Sequence, residues 1–322
     1  MAEPTPAYAW MNGKVIPWAE CVLHGRTAGA FMGSNVFEGV RAYWNAAHEE
    51  LFVFRHEEHL QRLGRSLKTM RLEVPYTVRQ IGQGALDLLR ANGFREDVHF
   101  IPVAYFGMGA HHFNALGPTV DNGVYITAVP WPQPAALWNG VAACVASWRR
   151  ISDDTVPPRL KAGANYQNSR LAQTEARVDG YDTAIILNAR GTVAEGPGAC
   201  LMMVRDGRLV TPPVTAGILE SITRTTLMEL AARELGLPVV EREIDRTELY
   251  VADEVFMCGS GLEVLPITSV DRLPVGDGAR GAVTRRIQDV YFAAARGELP
   301  GYRGWLTPVY AAVREPAPAR SA

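Results

Sequence analysis

This chain of 322 residues has few lysines, no closely spaced cysteines and almost no net charge. The 32 Lys and Arg residues nearly balance the 34 Asp and Glu residues, so the formal charge of −2 does not favour nucleic acid or an anionic membrane as a partner. The four cysteines are far apart and form no CxxC motif, which argues against a zinc cage or a disulfide framework. We therefore expect reduced thiols, no bound metal and a cytoplasmic location.

Long apolar runs and common nucleotide-binding motifs are missing too. No uncharged apolar stretch is long enough to span a bilayer, and the first residues lack the pattern of a signal peptide, so we expect a soluble, unexported protein. Neither a Walker A motif nor GxGxxG is present, which removes the best support for a nucleotide site. Hydrophobic residues still make up 48% of the chain, enough for the cores of about two domains.

Apolar periodicity predicts a mixed α/β (α+β) fold. The stripe of Leu60, Leu63, Leu67 and Met70 predicts a helix over 57–71. Further helices are predicted over 78–92, 168–178, 221–235 and 283–294, and strands over 36–43, 51–54, 98–106, 123–129, 141–147, 183–188 and 254–257, with a hairpin over 201–210. Three prolines between 130 and 134 favour a stiff connection. The predicted division is a domain over 1–128, a linker over 129–138 and a domain over 139–322.

Lys161 is the most unusual basic residue, because the chain contains only two other lysines and uses arginine elsewhere. It lies in the run Leu160-Lys161-Ala162-Gly163-Ala164-Asn165-Tyr166, which has no other charge. Small neighbours would let a planar ligand approach, and partial desolvation favours the neutral amine that forms a Schiff base. A solvated surface lysine is the alternative interpretation.

Two other segments could hold charged parts of a ligand. Residues 215–224 run from a turn into a predicted helix, where free N–H groups and the hydroxyls of Ser221 and Thr223 could seat a phosphate. An ordinary serine N-cap would give the same pattern. Glu195 stands among apolar and turn residues without an adjacent cation, so a protonated ring nitrogen could be its partner. A surface or backbone-capping glutamate fits this window equally well.

Together these segments resemble the fold-type IV, pyridoxal-phosphate-dependent aminotransferases, and among them the bacterial branched-chain amino acid aminotransferases most. The resemblance extends from about Tyr8 to Leu306. Its motifs, in chain order, are NVFEGVRAY (35–43), the segment from FRH (54–56) through Arg62-Leu63, the segment from KAG (161–163) through Tyr166, Glu195-Gly196 and LYVADEVF (249–256). Several motifs in the correct order identify the family better than any one alone.

The resemblance implies two domains, a smaller N-terminal α/β domain and a larger C-terminal pseudo-barrel, with pyridoxal phosphate in the cleft and a homodimer or an assembly of dimers. Lys161 would form the Schiff base and move the substrate's proton, while Glu195 would pair with the pyridinium nitrogen. Tyr166 would bind the phenolic oxygen and Leu219 would pack on the ring. The phosphate would be held by Arg62, Ile222, Thr223 and Ser260.

The substrate side departs from the family pattern. Where relatives read Tyr-x-Arg-Pro, this chain reads His99-Phe100-Ile101-Pro102, so an arginine that could bind a carboxylate is missing. Either a donor such as Arg41 or His99 compensates, or the preferred substrate differs. The residues expected around the substrate are Phe37, Arg41, Tyr43, His99, Met108, Trp131 and Gly261.

The first functional hypothesis is ping-pong transamination between a branched-chain or other hydrophobic L-amino acid and a 2-oxo acid. A D-amino acid or (R)-amine transaminase on the same fold is the second, favoured by the missing arginine. The third is the related lyase that cleaves aminodeoxychorismate, and a binding protein without cofactor is the remaining alternative.

Overall fold

The computed structural model describes residues 5–109 and 121–311. They form two β-sheets with helices packed against them. The strands are β1 (Tyr8–Met11), β2 (Lys14–Pro17), β3 (Asn35–Phe37), β4 (Val40–Asn45), β5 (Glu50–Phe54), β6 (Val98–Met108), β7 (Asp121–Pro130), β8 (Val141–Arg149), β9 (Thr183–Leu187), β10 (Val193–Gly196), β11 (Ala199–Arg205), β12 (Arg208–Thr211), β13 (Val239–Glu241), β14 (Glu254–Gly259), β15 (Glu263–Val270), β16 (Leu273–Pro274) and β17 (Leu306–Pro308). The helices are α1 (Ala28–Phe31), α2 (His56–Met70), α3 (Val78–Asn92), α4 (Ala136–Asn139), α5 (Asn165–Val178), α6 (Ile222–Leu235) and α7 (Ala282–Ala295). Within these ranges, no helix combines the length and apolarity needed to cross a membrane.

The first sheet has the strand order β17-β5-β4-β6-β7-β1-β2, with β3 paired to β6. Helices α2 and α3 cover one face and share a buried core with it, in which Leu63, Ile81 and Leu88 are fully enclosed. A capping box between Thr77 and Gln80 begins α3. Gly93, with a φ of 63°, ends the helix as the Asn-Gly signal predicts.

The second sheet closes on itself. Its order is β10-β9-β8-β15-β14-β11-β12-β13, and β10 pairs with β11 as well as with β9. The strands from β10 round to β11 therefore form a closed ring, as a pseudo-barrel domain requires. Helix α5 packs against β8 and β9, and α6 and α7 pack against each other and against β14.

Most predicted elements are present with shifted ends, and the differences have physical causes. The strand predicted over 36–43 is interrupted between β3 and β4, where the buried carboxylate of Glu38 accepts a hydrogen bond from Arg62. The prediction missed β10 and β15, which are buried along most of their length and so lack a period-two pattern. It also missed elements of two to four residues, too short for a periodic signal: β1, β2, β13, β16, β17, α1 and α4. The first sheet also includes β17, which comes from the C-terminal end of the chain. Strand β7 continues to Pro130, two residues into the predicted linker. The division into domains over 1–128 and 139–322 with a linker over 129–138 stays a prediction.

Candidate active site

A cavity of about 690 Å³ is lined by residues from both sheets and from the segment that joins them. Many residues predicted for the cofactor or the substrate line it, namely Phe37, Arg62, His99, Trp131, Lys161, Tyr166, Glu195, Leu219, Ile222, Ser260 and Gly261. The fold thus brings together side chains from distant parts of the sequence.

Lys161 reaches this cavity from a segment that pairs with strand β3. Ala162 forms a β-bridge with Val36, and the Lys161 carbonyl accepts a hydrogen bond of 2.9 Å from the Phe37 backbone. Gly163 is required by this approach, because a Cβ there would lie 2.6 Å from the Asn35 Oδ1 atom. The small residues around Lys161 therefore make room for a neighbouring strand. They hold the amine at a fixed place on the cavity wall.

The Lys161 amine has two aromatic neighbours. Its Nζ atom donates a hydrogen bond of 2.6 Å to the Tyr166 hydroxyl and lies 4.7 Å from the centre of the Phe37 ring. The Tyr166 and Phe37 rings are themselves 5.0 Å apart. An amine in this setting can act as a nucleophile or a base, with the phenol as its proton partner.

Glu195 lies in β10, at the irregular pairing with β9 that follows Val193. Such a bulge redirects a side chain, and here the carboxylate is only 4% exposed and faces the cavity. Arg150 lies 2.8 Å from its Oε1 atom, and the Leu219 backbone donates to its Oε2 atom at 3.1 Å. Burial raises the pKa of Glu195, and the charge of Arg150 opposes that rise.

Arg62 is held by the buried carboxylate of Glu38, which was not among the residues predicted for the site. Its Nε and Nη2 atoms donate to Glu38 at 2.8 and 2.6 Å, and His59 binds the same carboxylate at 2.7 Å. Burial alone would raise the pKa of Glu38, but the charge and hydrogen bonds of Arg62, with His59, lower it to about 2. Arg62 is thereby fixed as a permanent cation on the cavity wall.

The first turn of α6 supplies further donors beside Arg62. Ser221 is the N-cap and accepts a hydrogen bond of 3.2 Å from the Arg224 backbone, and Ser221 and Ile222 line the cavity. The first N–H groups of a helix have no intrahelical partner and carry its positive dipole end. Ser260 completes this side, with its hydroxyl 3.5 Å from the His59 Nε2 atom. The arrangement suits a phosphate.

The other end of the cavity is largely uncharged. The His99 ring lies 5.2 Å from the Trp131 ring, and Trp131 donates a hydrogen bond of 3.1 Å to the Gly261 carbonyl. Gly39 gives the imidazole its place, because a Cβ there would be 2.9 Å from its Nε2 atom. Burial lowers the pKa of His99 to about 3, with Arg41 and Lys161 acting in the same direction, so the ring is neutral near pH 7.

Two residues predicted for the substrate side, Arg41 and Tyr43, do not line the cavity. Arg41 is 1% exposed and is committed to the Trp131 carbonyl at 2.8 Å and to Glu263 at 3.0 Å. Tyr43 is fully buried, with its hydroxyl 3.0 Å from that of Tyr291. Both side chains lie in the core, because β4 is an interior strand that is covered on both faces.

Two further predicted residues do not line the cavity. Met108 is 43% exposed at the end of β6. Thr223 lies in the first turn of α6, but its side chain is buried and does not line the cavity. Neither observation supports a side-chain contact with a ligand in this cavity.

Sequence reasoning missed three residues that support the site: Glu38, His59 and Arg150. Glu38 and His59 stand inside motifs that were quoted for the resemblance, but no pattern in the sequence pairs either of them with Arg62. Arg150 follows β8 and reads as surface charge in the sequence. Their signal is burial combined with charge, which becomes visible only in the fold.

The set of donors and acceptors fits pyridoxal phosphate. Arg62 and the N–H groups that begin α6 match its phosphate, and the carboxylate of Glu195 matches its basic ring nitrogen. Lys161 lines the same cavity and can react with its aldehyde. No group of His, Cys, Asp and Glu residues able to hold a metal ion occurs in residues 5–109 and 121–311.

Comparison with known sequences gives a consistent family. Residues 35–270 match the family model for amino-transferase class IV. The chain is 38% identical over 303 residues to a probable branched-chain-amino-acid aminotransferase of Aquifex aeolicus, covering 94% of this chain and 97% of that protein. It is 39% identical over 306 residues to the branched-chain-amino-acid aminotransferase of Escherichia coli, with the same coverage of 94% and 97%.

Solved structures agree. The branched-chain amino acid aminotransferase from Thermobaculum terrenum in its PLP form is 44% identical, with a TM-score of 0.88 and coverage of 95% of this chain and 99% of that one. The branched-chain aminotransferase from Thermoproteus uzoniensis with norvaline is 40% identical, with a TM-score of 0.89 and coverage of 95% and 100%. The predicted family and fold are thereby confirmed, and this chain belongs to the class IV aminotransferases.

Proposed function

We propose that this protein is a pyridoxal-phosphate-dependent branched-chain amino acid aminotransferase. It exchanges the amino group of a branched-chain L-amino acid with a 2-oxo acid. The observation that carries the proposal is the presence of Lys161, Glu195 and Arg62 on one cavity in a chain of this family. Relatives of nearly the same length are named for this activity.

The side chains divide the work of the reaction. The bound cofactor supplies an electron sink for the pair left when the Cα–H bond of the substrate breaks. Glu195 would hold a proton at the ring nitrogen, Tyr166 would bind the phenolic oxygen, and Arg62 with the start of α6 and Ser260 would hold the phosphate. Leu219 contributes an apolar wall against the ring. Fixing both ends of the cofactor keeps its reactive carbon beside Lys161.

Lys161 is the group that moves the proton. With the cofactor and a substrate bound, the free Lys161 amine would take the proton from the substrate's Cα and donate it again at the cofactor's former aldehyde carbon. The Tyr166 hydroxyl, at 2.6 Å, accepts one of the hydrogen bonds of this amine. Because the amino group is stored on the enzyme between the two substrates, the kinetics are ping-pong.

The substrate end fits an apolar side chain. Phe37, Trp131 and the neutral His99 ring form its walls together with Gly261. The alternatives of a D-amino acid or (R)-amine transaminase and of a lyase are not favoured, since the relatives of known name are branched-chain aminotransferases.

A half-reaction screen tests this function. Purified holoenzyme is mixed separately with L-leucine, D-alanine and (R)-1-phenylethylamine, and the near-visible absorbance of the bound cofactor is followed. We expect rapid loss of absorbance with L-leucine alone, followed by recovery on addition of a 2-oxo acid. Loss of absorbance with D-alanine or the (R)-amine instead would assign the second hypothesis, and failure of any oxo acid to restore it would favour the lyase.

We also propose that the protein works as a homodimer or an assembly of dimers in the cytoplasm. Phe31 and Met32, at the end of α1, are 47% and 37% exposed, and Gly33 packs against Ala164 near the active-site lysine. An apolar surface at this place suits a subunit contact. The four free thiols suit a reducing compartment. Analytical ultracentrifugation and cell fractionation test the two statements, and a monomer or an exported protein would contradict them.

A further inference from the structure

Arg150 lies behind Glu195, at the point where the chain leaves strand β8. Its backbone N–H donates a hydrogen bond of 2.8 Å to the Leu187 carbonyl at the end of β9, which fixes the residue in the closed sheet. Its side chain is 7% exposed and still reaches the wall of the cavity. A guanidinium in such a place requires a partner, because an unpaired buried charge is unstable.

The partner of Arg150 is the carboxylate of the active site. Its Nη2 atom lies 2.8 Å from the Glu195 Oε1 atom, and its Nη1 atom donates to the Asn168 side chain at 3.4 Å. The other carboxylate oxygen accepts from the Leu219 backbone at 3.1 Å. Each oxygen of Glu195 therefore has a donor that fixes its direction.

The charge of Glu195 depends on this arrangement. The carboxylate is 4% exposed, and burial without a counter-ion favours its neutral form. A protonated carboxyl group cannot hold a proton on a basic ring nitrogen, since it has no free charge to offer. Burial raises the pKa of Glu195, and the charge of Arg150 is the largest influence that lowers it.

We propose that Arg150 is a positioning residue that keeps Glu195 ionised and directed into the cavity, so that this carboxylate can stabilise the protonated ring nitrogen of the cofactor. The inference rests on the proposed function and goes beyond it, because it assigns the state of the catalytic carboxylate to a residue that does not bind the substrate.

The test compares two cofactors in three proteins. Pyridoxal phosphate and its deaza analogue, in which carbon replaces the ring nitrogen, are titrated into wild type, Arg150→Met and the control Arg159→Met, and dissociation constants are measured. Arg159 is half exposed and is paired with Asp153 and Glu220, so its substitution removes the same charge from the same region without touching Glu195. We expect Arg150→Met to bind pyridoxal phosphate about tenfold more weakly, which corresponds to one pKa unit, and the deaza analogue nearly as well as wild type.

Equal losses for both cofactors would overturn the proposal, because a merely structural arginine does not distinguish nitrogen from carbon. The variant Arg150→Lys should recover much of the preference for pyridoxal phosphate, since it restores the charge, and absence of recovery in a folded Arg150→Lys protein would also count against the role. If wild type binds neither cofactor, the proposed function fails instead, so the two failures are distinguishable.

Discussion

The two ends of the cavity hold their residues by different means. At the cofactor end, Arg62 and Glu195 are buried charges, each fixed by partners of opposite charge and by backbone groups. At the substrate end, His99 is held by the Trp131 ring and by the space that Gly39 leaves. The cofactor end is thus built for an invariant charged ligand, and the substrate end for shape.

This difference separates chemistry from specificity. Removing one member of a buried ion pair leaves an unpaired charge and is costly, so the cofactor end tolerates little change. A neutral aromatic side chain at the other end can be replaced by another neutral side chain of similar size at a smaller cost in free energy, because only packing contacts change. Of the two residues that replace the family's Tyr-x-Arg pattern, His99 lies at this tolerant end, whereas Ile101 does not line the cavity.

The largest effect is expected at the lysine. Lys161→Ala removes the amine that bonds to the cofactor and moves the proton, so turnover of L-leucine with a 2-oxo acid should fall by a factor of roughly ten thousand or more. Lys68→Ala, on the exposed face of α2, is the matched control and should keep wild-type turnover. Comparable activity in the two variants would contradict the assignment of Lys161.

Lys161 and Glu195 were identifiable in the sequence because each stands in a motif with few competing residues, and both line the cavity. Arg150 and Glu38 were not, because they act through another side chain that is distant in sequence and meets them only after folding. Arg41 and Tyr43 were predicted for the substrate side but do not line the cavity, because β4 is buried along nearly its whole length and the sequence of such a strand does not show which side faces a cavity. The two sheets were predictable as classes of structure, but the closure of the second sheet depends on the pairing of β10 with β11.

The second effect concerns stability at the cofactor end. Glu38→Gln leaves Arg62 buried without its counter-ion, and we expect a loss of about 3–5 kcal/mol in the free energy of unfolding, together with weaker binding of pyridoxal phosphate. Denaturant unfolding of the holoenzyme measures the first quantity. The control Asp87→Asn breaks an exposed pair with Arg90 on α3 and should cost under about 1 kcal/mol. Similar losses in the two variants would show that burial of the pair does not matter.

A smaller effect is expected in the pH dependence of stability, where the two buried histidines of α2, His56 and His59, should differ. His59 binds Glu38, whereas the His56 Nε2 atom has no hydrogen-bond partner in the described part of the chain. Burial lowers the pKa of His56 to about 4, so folding favours its neutral form. The stability this supplies is complete above the unfolded pKa of about 6.5 and is lost as the pH falls toward 4.

The measurement is the free energy of unfolding at pH 7 and pH 5. Between pH 7 and pH 5, wild type should lose about 2 kcal/mol more free energy of unfolding than His56→Gln. In this range the unfolded state of the wild type takes up a proton at His56, whereas the folded state does not. His48→Gln changes an exposed histidine and should match wild type in its pH dependence. Identical slopes in all three proteins would mean that His56 titrates normally in the folded state.

The smallest effect should lie at the substrate end. Gly39→Ala places a Cβ 2.9 Å from the His99 Nε2 atom, so the imidazole must shift by a few tenths of an ångström. We expect the KM for L-leucine to rise about tenfold, as for other cases of overpacking near 1–2 kcal/mol, with the affinity for pyridoxal phosphate unchanged. Gly25→Ala, where an added Cβ meets nothing within 4 Å, is the control. A fall in cofactor affinity equal to the rise in KM would show that the two ends are coupled, through the peptide bond that joins Gly39 to Glu38, the counter-ion of Arg62.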